Sequence, residues 1–193
     1  MAEIEKEFKN LITKENYEEI LKDYQKILTT SITQTNSYYD YQGILKSHHI
    51  ALRIRTIEGQ SNGEITLKIP QDTYEVLEIT ETLPIDMLQS FNAQKEFTLP
   101  EKIYKALVSQ EINLKNVQQT ALLTTHRRQG TLSANELLVL DESHYNGRCD
   151  YEIEMEVTDL QQGEQVFNQF LHQYGIKRQQ ADSKIKRALS TAL

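Results

Sequence analysis

Glu3-Ile4-Glu5-Lys6-Glu7-Phe8-Lys9 opens the chain with a two-residue period. Read as a strand, it puts Glu5, Glu7 and Lys9 on one face and Ile4 and Phe8 on the other. Two carboxylates and an ammonium then share one wall. Carboxylates suit a hard cation such as Mg²⁺ or Mn²⁺, and the lysine suits an anion carried by that cation. The same pattern recurs. His49 to Arg55 sets Arg53 and Arg55 opposite Leu52 and Ile54, and Ile65 to Ile69 sets Thr66 and Lys68 opposite three aliphatic residues. Leu122 to Arg128 ends in two arginines, and Tyr151 to Val157 sets Glu152, Glu154 and Glu156 against Tyr151, Ile153, Met155 and Val157. A two-layer sandwich would turn such charged faces to water. A closed barrel would turn them inward, with helices over its apolar outside. So much enclosed charge is costly unless it is paired, hydrated or bound to a charged ligand, and a metal–polyphosphate complex meets that condition.

The remaining elements fit an α+β chain. Tyr17, Ile20, Leu21, Tyr24, Ile27 and Leu28 form one stripe, which predicts a helix over 14–28 with Thr13 as its N-cap. A strand is expected over Ser37–Leu45. Gln60 to Gly63 marks a hairpin turn between the Arg53/Arg55 and Thr66/Lys68 strands, and an acidic strand follows over Tyr74–Leu83. Pro84 and Pro100 predict helix starts, with helices over 85–91 and 101–110. Strands near 119–129, 135–142 and 148–158 precede helices near 160–174 and 179–191. The total is about eight strands in mostly antiparallel order, enough for a small closed barrel.

Bulk properties agree with one domain over 1–193. Hydrophobic content is 38% and charged content 25%, which excludes a disordered or membrane-spanning chain. No apolar run approaches the roughly 20 residues of a spanning helix, and the acidic N-terminus has no signal-peptide core. A net charge of −7 argues against broad nucleic-acid binding. The lone Cys149, beside the Asn146-Gly147 turn, reads as structural and points to a reducing, cytoplasmic setting. His48-His49 lacks the spacing of a metal pair on a strand, and no phosphate-binding glycine loop is present.

Glu5-x-Glu7-x-Lys9 resembles the N-terminal ExExK signature of the CYTH superfamily, the triphosphate tunnel metalloenzymes. Arg53-x-Arg55, Thr66-x-Lys68, Glu78, Arg127-Arg128, Glu152-x-Glu154 and Ser183-Lys184 follow in the family's order, across nearly the whole chain. The likeness is strongest to the small, single-domain bacterial members. It implies an eight-stranded tunnel with helices outside and metal-dependent chemistry on a linear triphosphate. That substrate is inorganic tripolyphosphate or a small organic triphosphate, and a two-metal scheme is implied with it. Glu5, Glu7, Glu152 and Glu154 are the expected ligands for Mg²⁺ or Mn²⁺, with Glu156 an alternative on the same face. Lys9, Arg53, Arg55, Lys68, Arg128 and Lys184 are the expected phosphate-holding residues, and Lys9 and Glu78 the expected catalytic ones.

Within that set, His126 and Arg128 share a face, and Arg128 is taken as the inward member of the arginine pair. Glu78 is preferred to Glu75 and Glu81. Asp141 is a further acidic lumen residue, and Asn36 or Tyr39 borders the tunnel mouth. Lys184 rests on the resemblance, because Lys184, Lys186 and Arg187 also fit the polar side of a terminal helix. Alternatives are a class IV-type adenylyl cyclase and a non-catalytic polyphosphate or nucleotide binder. A monomer or homodimer is expected, with a small triphosphate as partner and neither nucleic acid nor membrane.

Overall fold

Alternating apolar and polar residues place the nine strands of the described residues in one antiparallel sheet, and eight of them close on themselves. The computed structural model describes residues 2–179 and 182–190. Its elements run β1 (Ala2–Ile12), α1 (Lys14–Asp23), β2 (Thr30–Asp40), α2 (Ile44–Ser47), β3 (Ala51–Ile57), β4 (Asn62–Pro70) and β5 (Glu75–Pro84). They continue α3 (Ile85–Gln94), β6 (Glu96–Thr98), α4 (Glu101–Val108), β7 (Asn116–Thr131), β8 (Glu136–Tyr145), β9 (Arg148–Val157), α5 (Leu160–Gln173) and α6 (Lys184–Ser190). Round the barrel the order is β2-β3-β4-β5-β1-β9-β8-β7, and the pairing of β7 with β2 closes it. Closure leaves these eight strands no open edge. β1 spans a seam: Ala2 to Lys6 pair with β5, and Glu7 to Ile12 pair with β9.

The apolar faces point outward under helices. Leu52 and Ile54 of β3 and Ile65 and Leu67 of β4 are fully buried with Leu88 of α3 and Ile103 and Leu107 of α4. On the other side, Phe8, Ile153 and Met155 pack with Tyr17 and Ile20 of α1 and Phe167 of α5. Each such side chain contributes about 1.5–3 kcal/mol on burial. The covered outer surface therefore drives closure, and the interior is free to carry charge.

Thr13 is the N-cap of α1, its hydroxyl accepting from the Asn16 N–H at 3.1 Å. The helix ends at Asp23, short of the expected Leu28, because the chain must turn into β2. That turn carries Ile27 against Gly130 of β7, where a Cβ would sit 1.8 Å from the Ile27 carbonyl oxygen. β2 begins at Thr30 and ends at Asp40, earlier than the expected 37–45. Its early residues, Ile32 aside, are polar and look like loop in sequence, yet Gln34 and Asn36 are buried facing inward. Asp40 ends the strand by accepting from the N–H groups of Tyr41 and Leu45 at 2.7 and 2.8 Å. The sequence reading contains neither α2 nor β6. β6 pairs with Asn116–Gln118 of β7, beyond the stretch that β8 covers.

Pro84 and Pro100 stand immediately before α3 and α4, as their fixed φ predicts. The expected terminal helix over 179–191 is α6; positions 180, 181 and 191 lie outside the described residues. Among the described residues no helix is long and apolar enough to cross a membrane.

Candidate active site

The alternation that buries Leu52 and Phe8 outside turns a charged set inside. β1, β9 and β8 bring Glu5, Glu7 and Lys9, then Glu152, Glu154 and Glu156, then Asp141 to the interior face. β3, β4 and β5 bring Arg53 and Arg55, then Thr66 and Lys68, then Glu78. The register fixes these neighbours: Lys9 lies opposite Glu154, Glu7 opposite Glu156, Asp141 opposite Glu152, and Lys68 opposite Glu78.

Asp141, Glu152 and Glu154 form the densest acidic group, with one oxygen of each within 4.8 Å of the others. All three are buried. The ammonium of Lys184 reaches into this group from α6. It donates to Glu152, to Glu154 at 2.5 Å, and lies 3.0 Å from Asp141. Arg127 donates to both oxygens of Asp141, at 2.8 and 2.6 Å, and to Glu154 at 2.7 Å. Arg187 donates to Glu152 at 2.7 Å. Burial works against the charge on Glu154, but Lys184 and Arg127 hold it well below the usual carboxylate range. Burial pushes Glu152 up; Lys184 opposes that, and the neighbouring Glu154 adds to it. Lys184 is held well above its usual value by the carboxylates, against burial.

A second acidic group lies along β1. The ammonium of Lys9 is 2.5 Å from Glu7, and that of Lys68 is 2.9 Å from Glu5 and also pairs with Glu78. Glu156 faces this group and is pushed up to about 7 by burial and by Glu5, with Glu154 and Glu7 adding. Burial works against Glu78, but Lys68 and Arg53 lower it.

The cationic wall is less well balanced. Arg53 is 6% exposed, and its Nε has no hydrogen-bond partner. Arg55 donates to Asn36 at 2.9 Å; burial, Arg53 and Arg127 lower it to about 9. Among the described residues neither arginine forms an ion pair with a carboxylate. Arg53 is buried and Arg55 half-buried, each short of an ion-pair partner, a costly state that an anion would relieve.

The expected residues are thus gathered round one lumen, with one correction. Arg127, not Arg128, faces inward. β7 turns Leu123, Thr125 and Arg127 to the interior, where Thr125 meets Ser143 at 3.0 Å. Arg128 is exposed on the outside and lines a shallow cleft with Glu18, Lys22 and Gln25 of the α1 region. The strand period left a choice between two adjacent arginines, and only the register with Asp141 decides it.

Glu78 lies inward, while Glu75 and Glu81 share the outward face of Leu77 and Ile79. Asn36 lies inside against Arg55, whereas Tyr39 packs in the outer core against Phe97. Glu5 and Glu7 stand apart from the Asp141 group, in ion pairs of their own. In the sequence Arg187 falls only on the polar side of the terminal helix. Its position three residues after Lys184 was the available signal, since that spacing puts both cations on one helix face.

The CYTH domain family model matches residues 3–189. The Bacillus subtilis (strain 168) protein named "Putative triphosphatase YjbK" is 34% identical over 189 residues, covering 96% of this chain and 94% of that protein. A Bacillus halodurans crystal structure, described as "a putative adenylate cyclase", superposes with a TM-score of 0.84 at 29% identity, over 96% of this chain and 97% of its own. A Hippeastrum protein superposes with a TM-score of 0.75 at 20% identity, over 100% of this chain and 97% of its own, which is a likeness of fold.

Proposed function

The chain belongs to the CYTH domain family, and on that premise we propose that it hydrolyses a linear triphosphate inside its barrel with the help of Mg²⁺ or Mn²⁺. One observation carries the reading: a buried carboxylate group on β8 and β9 faces the same lumen as the buried Arg53 and the half-buried Arg55, neither of which is in an ion pair among the described residues. A metal–triphosphate complex presents positive charge to the first and negative charge to the second. The triphosphatase name of the Bacillus subtilis relative supports the hydrolytic form.

The donor set fits a hard divalent ion. Asp141, Glu152 and Glu154 offer only oxygen, and a cationic group already sits at their centre in the form of the Lys184 ammonium. When bound there, such an ion supplies neutralisation of phosphoryl oxygens and a lowered pKa for water. Arg53 and Arg55 bind phosphate oxygens, since their planar forks match that geometry. Lys68 and Lys9 add point charges, and Glu78 orients Lys68 between itself and Glu5. Arg127 positions Asp141 and Glu154 rather than substrate. Glu5, Glu7 and Glu156 form a second acidic wall for positive charge on the bound complex. Ile185 and Ala188 of α6 pack with Tyr38, Leu123 and Tyr145 and so seat Lys184 and Arg187 at that end of the barrel. Stabilisation of developing charge by groups already in place is the main catalytic contribution in phosphoryl transfer.

We further read the chain as a cytoplasmic monomer or homodimer acting on a small molecule. Incubation with tripolyphosphate, ATP and thiamine triphosphate, each with Mg²⁺ or Mn²⁺, tests the activity. Released phosphate is the expected product. A cyclic nucleotide from ATP would favour cyclisation instead, the activity in the description of the Bacillus halodurans relative. Tight binding without turnover would make the protein a sensor.

A further inference from the structure

The barrel wall carries a second set of metal-binding side chains on its outer face, in the same two strands that carry the tunnel carboxylates. Asp141 and Ser143 of β8 point in, so Glu142 and His144 point out; Glu152 of β9 points in, so Cys149 and Tyr151 point out. The register places His144 opposite Cys149 and His126 of β7 opposite Glu142. The Nε2 of His144 lies 2.9 Å from Glu142 Oε1, and the Sγ of Cys149 lies 3.9 Å from each of them. One oxygen, one imidazole nitrogen and one sulfur thus converge within 4.8 Å of one another. Cys149 and His144 are exposed and Glu142 is partly so, leaving the group open to solvent.

We propose that Glu142, His144 and Cys149 bind a borderline divalent ion of the Zn²⁺ class on the outside of the barrel, independently of the tunnel chemistry. Metal–sulfur and metal–nitrogen distances of about 2.3 and 2.0–2.1 Å put tetrahedral donors about 3.6 Å apart for the sulfur pairs and about 3.3 Å apart for the nitrogen–oxygen pair. The observed spacings need adjustments of only a few tenths of an ångström. His144 contributes neutral Nε2, with its hydrogen on Nδ1. Cys149 forms the sulfur–metal bond as its thiol proton leaves to solvent. The ring of His126 stands edge-on to His144 with centroids 5.5 Å apart. Its Nδ1 meets the Thr33 hydroxyl at 3.1 Å, which fixes that ring beside the group, and water completes the coordination of the ion. Sulfur and imidazole select a softer ion than the all-oxygen tunnel group, so the two faces of β8 and β9 divide metals by donor type.

The test titrates Zn²⁺ into the reduced full-length chain against a chromophoric chelator, with saturating Mg²⁺ to occupy oxygen sites. One equivalent is expected. Co²⁺ should give a thiolate charge-transfer band in the near ultraviolet. C149S and H144Q should each weaken Zn²⁺ at least tenfold with an unchanged circular dichroism spectrum, and C149S should keep its tripolyphosphate turnover. Glu154→Gln, inside the barrel, should leave Zn²⁺ affinity unchanged. Equal Zn²⁺ affinity in wild type and C149S, or a Co²⁺ spectrum without the thiolate band, overturns the proposal.

Discussion

Lys184→Met tests whether the terminal helix is held by the charge it delivers. In the folded chain Asp141, Glu152 and Glu154 face Lys184, Arg127 and Arg187, three charges against three. Methionine keeps most of the apolar stem and removes the ammonium, so the group is left with one uncompensated buried negative charge. Removing one partner of a buried pair costs about 3–5 kcal/mol. At about 2.1 cal/mol/K of unfolding entropy per residue, a chain of 193 residues loses roughly 2.5 °C per kcal/mol, so the melting temperature should fall by about 8–12 °C in chelator. Added Mg²⁺ should then act as the missing cation. At a hundred times its Kd it returns about 2.7 kcal/mol, or roughly 7 °C. Wild type should respond less, because the ammonium competes for the same oxygens. Differential scanning calorimetry with and without Mg²⁺ measures both halves. A variant within 2 °C of wild type in chelator, or one that Mg²⁺ does not rescue beyond wild type, refutes the reasoning.

Arg127→Ala should cost about 3–5 kcal/mol in urea unfolding, while Arg128→Ala should stay within about 0.5 kcal/mol, and comparable losses would put both side chains in similar surroundings. Arg53→Ala and Arg55→Ala should each reduce the thermal stabilisation that tripolyphosphate gives wild type, and an unreduced shift would remove them from the binding wall. Glu156 has a folded pKa raised to about 7 from 4.5, so the folded state holds its proton longer and wild type loses stability as pH rises through that window. Glu156→Gln should therefore gain on wild type between pH 5 and pH 8 in chelator, by at most about 3 kcal/mol; a difference independent of pH would count against the burial argument. Gly130→Ala places a methyl group 1.8 Å from the Ile27 carbonyl oxygen and should cost more than about 4 kcal/mol, and near-native urea stability would show that the α1–β2 turn yields.

Much of this protein was legible in the chain. Period-two alternation assigned charged and apolar faces to β1, β3, β4 and β9 without further information, because a strand turns successive side chains to opposite sides. It also made a closed barrel the economical way to keep both faces satisfied. Where alternation fails, so does the reading: Ile32 is the one apolar residue between Thr30 and Asn36, and the expected strand starts at Ser37 although β2 starts at Thr30. The arginine pair shows the other limit. Sequence assigns one arginine inward and one outward, but which is which depends on the register of β7 with β8, where Arg127 meets Asp141. The grouping of the site was likewise a tertiary matter. Asp141 and Glu152 are cross-strand neighbours, and Lys184 and Arg187 reach them from a helix that the barrel seats at one of its ends. Residue identity fixed the kinds of charge available. Only closure of the sheet decided which of them share a lumen, because distance through space is set by strand order and not by position in the chain.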